Sequence, residues 1–308
     1  MMHTSPAFWE RGYADMGVST MGGPNHDIVE MAKALSPESR VLDLGCGEGR
    51  NAYYLAACGF QVKAMDISEH GIKKLSALAV RAGITLETEV ANLETYKVEG
   101  TWDVILCHGV IDYLDNARWR ELLTEVKAHT RPGGFNAYTC MLFTDEYPAG
   151  PEFITGGFKH SLAQEELAEF YNDWQMVRHD RYVKWDQHPG IPIHCHPVDK
   201  VVAKKPGAGP TFESTLVPAS DTFLPKDIFD SIEMGMPVEE MRKLCGEPEV
   251  VDRIGMGGVQ IGVGPDCTVD GYLLALWYYG RSVMYVINDK VWGRALYNSP
   301  PTRVNFTA

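Results

Sequence analysis

Residues 41–51 read VLDLGCGEGRN, and this stretch decides the fold of most of the chain. An apolar strand that carries Asp43 comes first, three glycines follow at every second position, and a helical pattern begins at Asn51. The glycines are Gly45, Gly47 and Gly49. Because glycine has no Cβ, this loop can turn sharply and lie flat against a ligand. The N–H groups at the start of the next helix point toward the same place. The stretch therefore predicts a strand, a ligand-binding loop and a helix.

A carboxylate ends the next predicted strand. The β-type run 61–65 is followed by Asp66, 21 residues after Gly45. A carboxylate in this place can accept hydrogen bonds from both hydroxyls of an adenosine ribose, as the acidic residue of dinucleotide-binding folds does. The alternative role is an N-cap for the helix that begins near Ser68, and one loop can serve both roles.

Strand-like and helical patterns keep alternating beyond this point, which predicts a parallel sheet covered by helices. The predicted elements are a helix at 68–82, strands at 84–90 and 102–107, a helix at 117–130 and a strand at 135–141, the last one entered through a Pro-Gly-Gly turn. Open α/β sheets bind ligands at the carboxyl ends of their strands. Residues 107–113 are therefore expected to border the pocket.

The Gly-x-Gly-x-Gly spacing, after an apolar strand that carries one acidic residue, resembles motif I of class I S-adenosylmethionine-dependent methyltransferases. The resemblance implies an α/β, Rossmann-like, mostly parallel sheet with an antiparallel last strand, and S-adenosylmethionine as the cofactor. It places Asp66 on the ribose, and it places Asn92 where this class usually has an acidic residue near the adenine edge. The cofactor-binding residues that it implies are Asp43, Gly45, Cys46, Gly47, Gly49, Asn51, Asp66, Ile67, Asn92, Leu93 and Cys107.

Further segments resemble TehB-type tellurite-resistance methyltransferases over about residues 8–205. They are 129–136, 144–148, 165–174 and the closing strand that ends at 201–205. By this resemblance, Tyr13 and His26 belong to an N-terminal segment that closes over the cofactor. Their alternative roles are an aromatic residue in an ordered arm and a polar residue at a helix start.

The resemblance fails at a place that matters for the substrate. The family carries a His-Arg element between its last two strands, thought to face the substrate. Here His188 is followed by Pro189-Gly190, and the Arg is missing. The resemblance therefore extends to fold and cofactor, but not to oxyanion methylation. His188 and His108, at the end of the fourth strand, are the candidate catalytic bases, and a packed helix-cap role is the alternative for His108.

Three histidines near the predicted last strand raise the question of a metal. His194 and His196 point to one face of a strand while Cys195 points to the other. Imidazole and thiolate are zinc ligands, but a fourth ligand is not evident nearby. We therefore predict no metal site, and we keep a substrate-facing histidine as the main alternative to a surface or packing role.

Composition excludes several classes of protein. The 308 residues are 45% hydrophobic, which is enough for a full core and more than one domain. The net charge of −13 and the absence of a basic run disfavour an enzyme that acts on nucleic acid, since such affinity rests on phosphate contacts. Seven scattered cysteines suit a reducing cytoplasm. The first residues lack a signal-peptide pattern, and no apolar run is long enough to span a membrane, so we expect a cytoplasmic protein.

A second unit follows the methyltransferase-like part. Residues 206–225 are rich in proline and glycine, which predicts an irregular linker. Helical spacing predicts one helix around Ile228 and another from Pro237 to Gly246. Three strands joined by hairpin turns are expected at about 272–279, 282–287 and 291–297. We therefore divide the chain into a methyltransferase domain at 1–205, a linker at 206–225 and an ααβββ module at 226–308, and we expect the two folded parts to be separable.

This two-helix, three-strand plan resembles small SmpA/BamE-like modules. The matching residues are 234–241, 246–248, 276–279 and 288–291. The resemblance implies a unit that binds a partner. Four aromatic residues on its strands are either a docking face or half of a core, since alternate strand residues must face the helices. They are Trp277, Tyr279, Tyr285 and Trp292.

Taken together, the sequence predicts an S-adenosylmethionine-dependent methyltransferase that acts on a small-molecule nucleophile, including chalcogen or metalloid oxyanions as candidates. The alternative is a binding protein whose methyltransferase-like domain senses the cofactor and signals through the C-terminal module. The expected partner is a small-molecule acceptor, with no nucleic acid and no membrane. A homodimer or a protein partner bound through the C-terminal module stays open.

Overall fold

The computed structural model describes residues 7–17, 20, 22–151, 153, 156–188, 191–255 and 273–308. Its first five strands are β1 (Arg40–Leu44), β2 (Gln61–Asp66), β3 (Glu87–Val90), β4 (Trp102–His108) and β5 (Thr130–Met141). They pair in parallel in the order β3-β2-β1-β4-β5. The strand that carries Asp43 is therefore the central one, and the loop that follows it lies at the middle of the sheet edge.

Two more strands extend this sheet, and one of them runs against the direction of the others. They are β6 (Gln175–Asp186) and β7 (His194–Lys204). β7 lies between β5 and β6 and runs antiparallel to both. The predicted fold class, a Rossmann-like and mostly parallel sheet with an antiparallel last strand, is confirmed.

Helices cover both faces of this sheet. They are α1 (Phe8–Ala14), α2 (His26–Ala32), α3 (Arg50–Ala57), α4 (Glu69–Ala82), α5 (Asn116–His129) and α6 (Glu166–Phe170), with a 3-10 turn at Ile111–Tyr113. The bounds of α4 follow from its sequence. Ser68 Oγ accepts a hydrogen bond from the Gly71 N–H at 3.0 Å, and Gly83 ends the helix with a φ of 68°.

Alternate strand residues face two apolar cores. On β1, Val41 packs into one cluster and Leu42 into the other, and on β4 Leu106 and Cys107 divide in the same way. This alternation is the period of two that a strand imposes. The first cluster includes residues of α2, α3 and α4, and the second includes residues of α5 and α6.

The Pro-Gly-Gly segment differs from the prediction. It was expected to be a turn before a strand at 135–141, but β5 already begins at Thr130. Thr130 lies opposite Trp102, and the next pair is Phe135 opposite Val104, so the segment is an irregularity inside the strand. The extra residues in this segment include Pro132, which cannot donate to the ladder.

The predicted helices and strands of the C-terminal region are present. They are α7 (Lys226–Ser231), α8 (Val238–Cys245), β10 (Leu273–Tyr279), β11 (Ser282–Ile287) and β12 (Lys290–Tyr297). Three further strands were not predicted, namely β8 (Thr211–Leu216), β9 (Val250–Gly255) and β13 (Thr302–Thr307). β8 pairs with β13, so the segment predicted to be irregular contains a strand.

The strands of the C-terminal region continue the main sheet. β12 pairs antiparallel with β6, so that eleven of the described strands form one sheet in the order β3-β2-β1-β4-β5-β7-β6-β12-β11-β10-β9. β8 and β13 form a separate two-stranded sheet. Trp277 and Tyr279 are buried against α7 and α8, as the half-core alternative requires, whereas Trp292 is 39% exposed. The division into separable units at 206–225 stays a prediction.

Within the described ranges, no helix combines the length and the apolar character that crossing a membrane requires.

Candidate functional site

A cavity of about 410 Å³ opens at the carboxyl ends of β1, β2 and β4. This volume suits a small-molecule site. The glycine loop forms its floor, and α1 and the connection between β6 and β7 form two of its sides. Eight of the predicted cofactor-binding residues line it, namely Tyr13, Asp43, Gly45, Cys46, Gly47, Asn51, Asp66 and Ile67, together with both candidate bases, His108 and His188.

The loop has the conformation that its glycines predict. Gly45, Gly47 and Gly49 have φ values of +72°, +59° and +88°. Residues that carry a side chain rarely adopt these backbone conformations. A Cβ on Gly45 would lie 2.2 Å from a Val110 methyl, and a Cβ on Gly47 would lie 2.4 Å from the Tyr13 hydroxyl oxygen. These glycines therefore let the backbone approach its neighbours closely. Gly49 is not part of the lining; it is the N-cap residue of α3 and packs against Leu75.

Asp66 is buried at the end of β2 and holds the loop. Its Oδ2 accepts the Gly47 N–H and its Oδ1 accepts the Ser68 N–H, both at 2.8 Å. Burial raises the pKa of Asp66, and these two hydrogen bonds oppose the rise. A carboxylate has about four lone-pair sites. Asp66 can therefore still accept hydroxyl groups of a ligand.

Asp43 lies beside Asp66 at the end of β1 and is 2% exposed. Burial raises its pKa to about 7; the Arg50 guanidinium and the Ala52 N–H oppose this rise, and the charge of Asp66 adds to it. Its Oδ2 atom has no hydrogen-bond partner among the described residues. A cationic ligand group beside Asp43 would favour the ionised carboxylate and lower this pKa.

The N-terminal arm is fastened over the loop by a buried ion pair. Glu48 Oε2 and Lys74 Nζ lie 2.8 Å apart, and neither side chain is more than 1% exposed. Lys74 also donates to the Asp15 carbonyl at 2.8 Å, and Glu48 Oε1 accepts the Thr20 N–H at 2.7 Å. Because breaking a buried pair leaves an uncompensated charge, this connection holds the arm in place. Tyr13 is thereby kept against Gly47.

His108 is poorly suited to the role of general base. The Asn25 amide nitrogen lies 3.2 Å from its Nδ1. Because an amide nitrogen only donates, Nδ1 is the acceptor and the proton of the neutral ring is on Nε2. Burial lowers the pKa of His108 to about 3, so its lone pair binds protons weakly. The ring is a neutral hydrogen-bonding wall of the cavity.

His188 also lines the cavity, from the connection between β6 and β7. Its Nδ1 lies 3.0 Å from the Thr20 carbonyl oxygen, which fixes the ring. His196 on β7 lines the same side, and its ring centroid is 5.6 Å from that of His188.

Besides Gly49, four of the predicted cofactor-binding residues lie outside the cavity lining. Cys107 faces the second core, because His108 takes the opposite face of the strand. Leu93 is buried in the same core, and Asn92 is exposed, with its Oδ1 accepting the Glu94 N–H at 3.0 Å. His26 begins α2, and its Nε2 lies 3.3 Å from Arg178 Nη1. Their assignment to the cofactor stays a prediction.

Several lining residues were missed. Arg50 directly follows the glycine loop, so its position in the motif was an available signal. Lys184 on β6 also lines the cavity. Trp292 on β12 lines it from the C-terminal region, and its ring lies within 2.9 Å of where a Cβ on Gly22 would be. No local sequence signal connects Trp292 to the loop, since the contact depends on the pairing of β12 with β6.

Comparisons with known proteins agree with the fold. A family model described as "Tellurite resistance protein TehB" matches residues 18–186. The "Probable S-adenosyl-L-methionine-dependent methyltransferase TehB" of Haemophilus influenzae is 30% identical over 154 residues, which are 50% of this chain and 52% of that protein. "Hemagglutinin 1" of Eikenella corrodens is 29% identical over 185 residues, 59% of this chain and 60% of that one. The crystal structure of TehB from Haemophilus influenzae superposes with a TM-score of 0.53 at 26% identity, over 59% of this chain and 62% of that one.

The chain thus spans between about half and two thirds of the length of these relatives. The family model covers more than half of the 308 residues. The matched range contains the glycine loop, Asp66 and His108. The chain therefore belongs to the TehB family.

Proposed function

We propose that this chain transfers a methyl group from S-adenosylmethionine to a small-molecule nucleophile. The observation that carries the proposal is the glycine loop, which meets Asp43 and Asp66 at the floor of a cavity of about 410 Å³. The names of the Haemophilus influenzae relative and of the solved TehB support the same reaction class.

The floor of the cavity offers the groups that the donor needs. Asp66 would accept the ribose hydroxyls, and the loop backbone would lie against the donor without Cβ atoms between them. Asp43 would face the positive amino-acid end, where its carboxylate can become charged on binding. Tyr13 would cover the donor from the arm.

The wall that holds His188 and His196 would position the acceptor. When bound, S-adenosylmethionine supplies a methyl group that its positive sulfonium has already activated. The protein must then hold the nucleophile in line with this methyl at near-attack distance. A base is needed only for an acceptor that carries a proton. The Nδ1 lone pair of His108 accepts a hydrogen bond from Asn25, and the pKa of His108 is about 3. His108 would therefore orient the acceptor rather than deprotonate it.

The nature of the acceptor is part of the proposal. Arg50 and Lys184 are the basic side chains in a lining that also carries Asp43, Glu48 and Asp66, and an anionic acceptor would bind on their side of the cavity. Chalcogen nucleophiles, and metalloid oxyanions more weakly because the family's Arg is missing, are the classes to test. A homodimer or protein partner, the SmpA/BamE-like nature of 226–308 and a cytoplasmic location remain predictions.

A second candidate function is cofactor sensing. Trp292 on β12 lines the cavity, so a ligand bound there would contact the C-terminal region. In that case the chain would bind the donor without turning it over.

Calorimetry and a transfer assay separate the two functions. S-adenosylhomocysteine and S-adenosylmethionine are titrated into the full chain, and labelled donor is then incubated with thiols, selenide, tellurite and phenols. Binding with label transfer to at least one acceptor supports the enzyme. Binding without transfer to any acceptor favours the sensor, and absence of binding overturns both.

A further inference from the structure

Three imidazoles meet at the acceptor wall of the cavity. His188 precedes β7, and His194 and His196 lie on its first residues, on one face. One ring nitrogen from each lies within 4.8 Å of the others. The ring centroids are 5.1 Å apart for His188 and His194 and 4.5 Å apart for His194 and His196.

Two of these rings are held by backbone carbonyls. His188 Nδ1 lies 3.0 Å from the Thr20 oxygen, and His194 Nδ1 lies 2.8 Å from the Pro192 oxygen. Because a carbonyl oxygen only accepts, each Nδ1 carries the proton, and the lone pair of each neutral ring is on Nε2. Metal-binding histidines are typically oriented in this way, by donating their other ring N–H to a carbonyl or carboxylate.

The surroundings suit a cation held by neutral ligands. His188 and His196 are less than 10% exposed, and the Phe153 ring packs edge-on to His196 with centroids 5.2 Å apart. Three protonated imidazoles at this spacing would repel one another, whereas three neutral ones can share a metal ion. His188 and His196 also line the main cavity, so a bound ion would face the acceptor.

We propose that His188, His194 and His196 bind a divalent first-row transition ion, with zinc as the ion to test. Three protein ligands with one position left open are the arrangement of catalytic zinc sites. Nitrogen atoms bound at about 2.0–2.1 Å in a tetrahedron lie about 3.4 Å from one another. Small rotations of the rings that move each nitrogen by about an ångström would therefore bring the three nitrogens to this spacing. No fourth ligand is evident in the sequence nearby, and a site with an open position does not need one.

The role of this metal rests on the proposed methyl transfer, whereas the site itself rests on the imidazoles alone. A thiol acceptor that binds the ion loses its proton. The S–H bond breaks, the proton leaves to solvent, and the sulfur uses its electron pair to bind the metal. The sulfur is then an anionic nucleophile beside the donor, and no side-chain base is needed. This would compensate for the weak basicity of His108.

Metal titration of the untagged full chain tests the site. The protein is stripped with a chelator and titrated with zinc in competition with a chromophoric chelator, and with cobalt as a spectroscopic probe. We expect one equivalent per chain and visible cobalt bands without a sulfur charge-transfer band. Absence of stoichiometric binding would overturn the proposal.

Single variants test the ligands. His188→Asn and His194→Asn should each weaken binding by on the order of a hundredfold or more. His129→Asn, at a partly exposed histidine outside the cavity lining, and Cys195→Ser should leave it unchanged. Loss of binding in Cys195→Ser, or equal binding in His194→Asn, would overturn the ligand set. Thermal unfolding and S-adenosylhomocysteine calorimetry on each variant show whether the fold and the donor site persist. The metal result is obtained without donor, so failure of the proposed function and failure of the metal site can be told apart.

Discussion

At the scale of single residues, two neighbouring carboxylates have different tasks. Asp66 accepts two backbone N–H groups and so fixes the loop before any ligand arrives. Asp43 is buried with one oxygen unbonded among the described residues, and burial raises its pKa to about 7. The first is a preorganised acceptor, and the second is a group whose charge depends on what binds beside it.

Replacing Asp66 with Ala should weaken S-adenosylhomocysteine binding by about 1–3 kcal/mol, the loss expected for hydrogen bonds to a charged group. Calorimetry measures the change. The affinity of Asp66→Asn should lie between those of the unmodified chain and Asp66→Ala, because the amide oxygen of Asn can still accept a hydrogen bond. Glu87→Gln, an exposed carboxylate on β3, is the matched control. An unchanged affinity in Asp66→Ala would show that the donor lies elsewhere.

Asp43 should make the free energy of unfolding depend on pH. Below about pH 4 the carboxyl is protonated in both states. Between about pH 4 and 7 the folded chain keeps a proton that the unfolded chain releases, so this contribution to stability is lost as the pH rises through the folded pKa of about 7.

Asp43→Asn should remove this loss of stability. The slope of the free energy of unfolding against pH should then change by up to about 1.4 kcal/mol per pH unit. Urea unfolding of both proteins between pH 5 and 8 checks it. Glu38→Gln, at an exposed position, is the control and should keep the slope of the unmodified chain. Parallel pH profiles for Asp43→Asn and the unmodified chain would mean that Asp43 is ionised throughout this range.

At the scale of elements, the connection between β6 and β7 departs from the pattern of the family. The resemblance to the family predicts an Arg directly after His188, and this chain has Pro189-Gly190 there instead. The described lining does contain basic side chains, but Arg50 comes from α3 and Lys184 from β6. Their positive charge therefore comes from other elements than the connection between β6 and β7.

We expect weak protection against tellurite when the chain is expressed in a sensitive host. TehB of Haemophilus influenzae, expressed at the same level, is the positive control. Gly47→Asp is the inactive control, because φ is +59° there and a side chain would meet the Tyr13 hydroxyl. Strong protection that Gly47→Asp removes would show that the oxyanion is a substrate despite the missing Arg.

Local patterns predicted the elements that carry their own signals. The glycine loop, the Ser68 cap and the alternating strands up to β4 could be predicted because each signal lies within a few residues. β8 has mostly exposed residues, and β13 has a mixture of partly buried, buried and exposed ones, so neither strand shows a regular buried alternation. The two strands also pair across a long stretch of chain. The approach of Trp292 and the meeting of three histidines depend in the same way on partners distant in sequence.

At the scale of the whole molecule, the two predicted units share a sheet. Arg294 to Tyr297 on β12 pair with Trp185 to Tyr182 on β6. The Tyr182 and Tyr297 rings stack with their centroids 4.8 Å apart. One apolar cluster contains residues from both sides of this junction, for example Val198 and Ala295. Separation of the units would therefore expose a strand edge and apolar surface.

A chain that ends at Lys205 tests the division. We expect it to keep S-adenosylhomocysteine binding, because every donor contact that we propose lies before that residue. We also expect a lower melting temperature and more aggregation, since the β6 edge becomes free. Calorimetry and thermal unfolding measure both, and limited proteolysis of the full chain should cut first between about 206 and 225. Failure to bind or to stay in solution would mean that the parts fold as one unit.

Trp292 has a consequence for how this chain can evolve. It reaches the cavity from a hairpin strand, far along the chain from the glycine loop that forms the floor. The two sides of the cavity are thus encoded by distant stretches of the gene. Substitutions in the hairpin can change the shape of the cavity while the glycine loop keeps its sequence. Selection can therefore act on acceptor preference and on donor affinity separately.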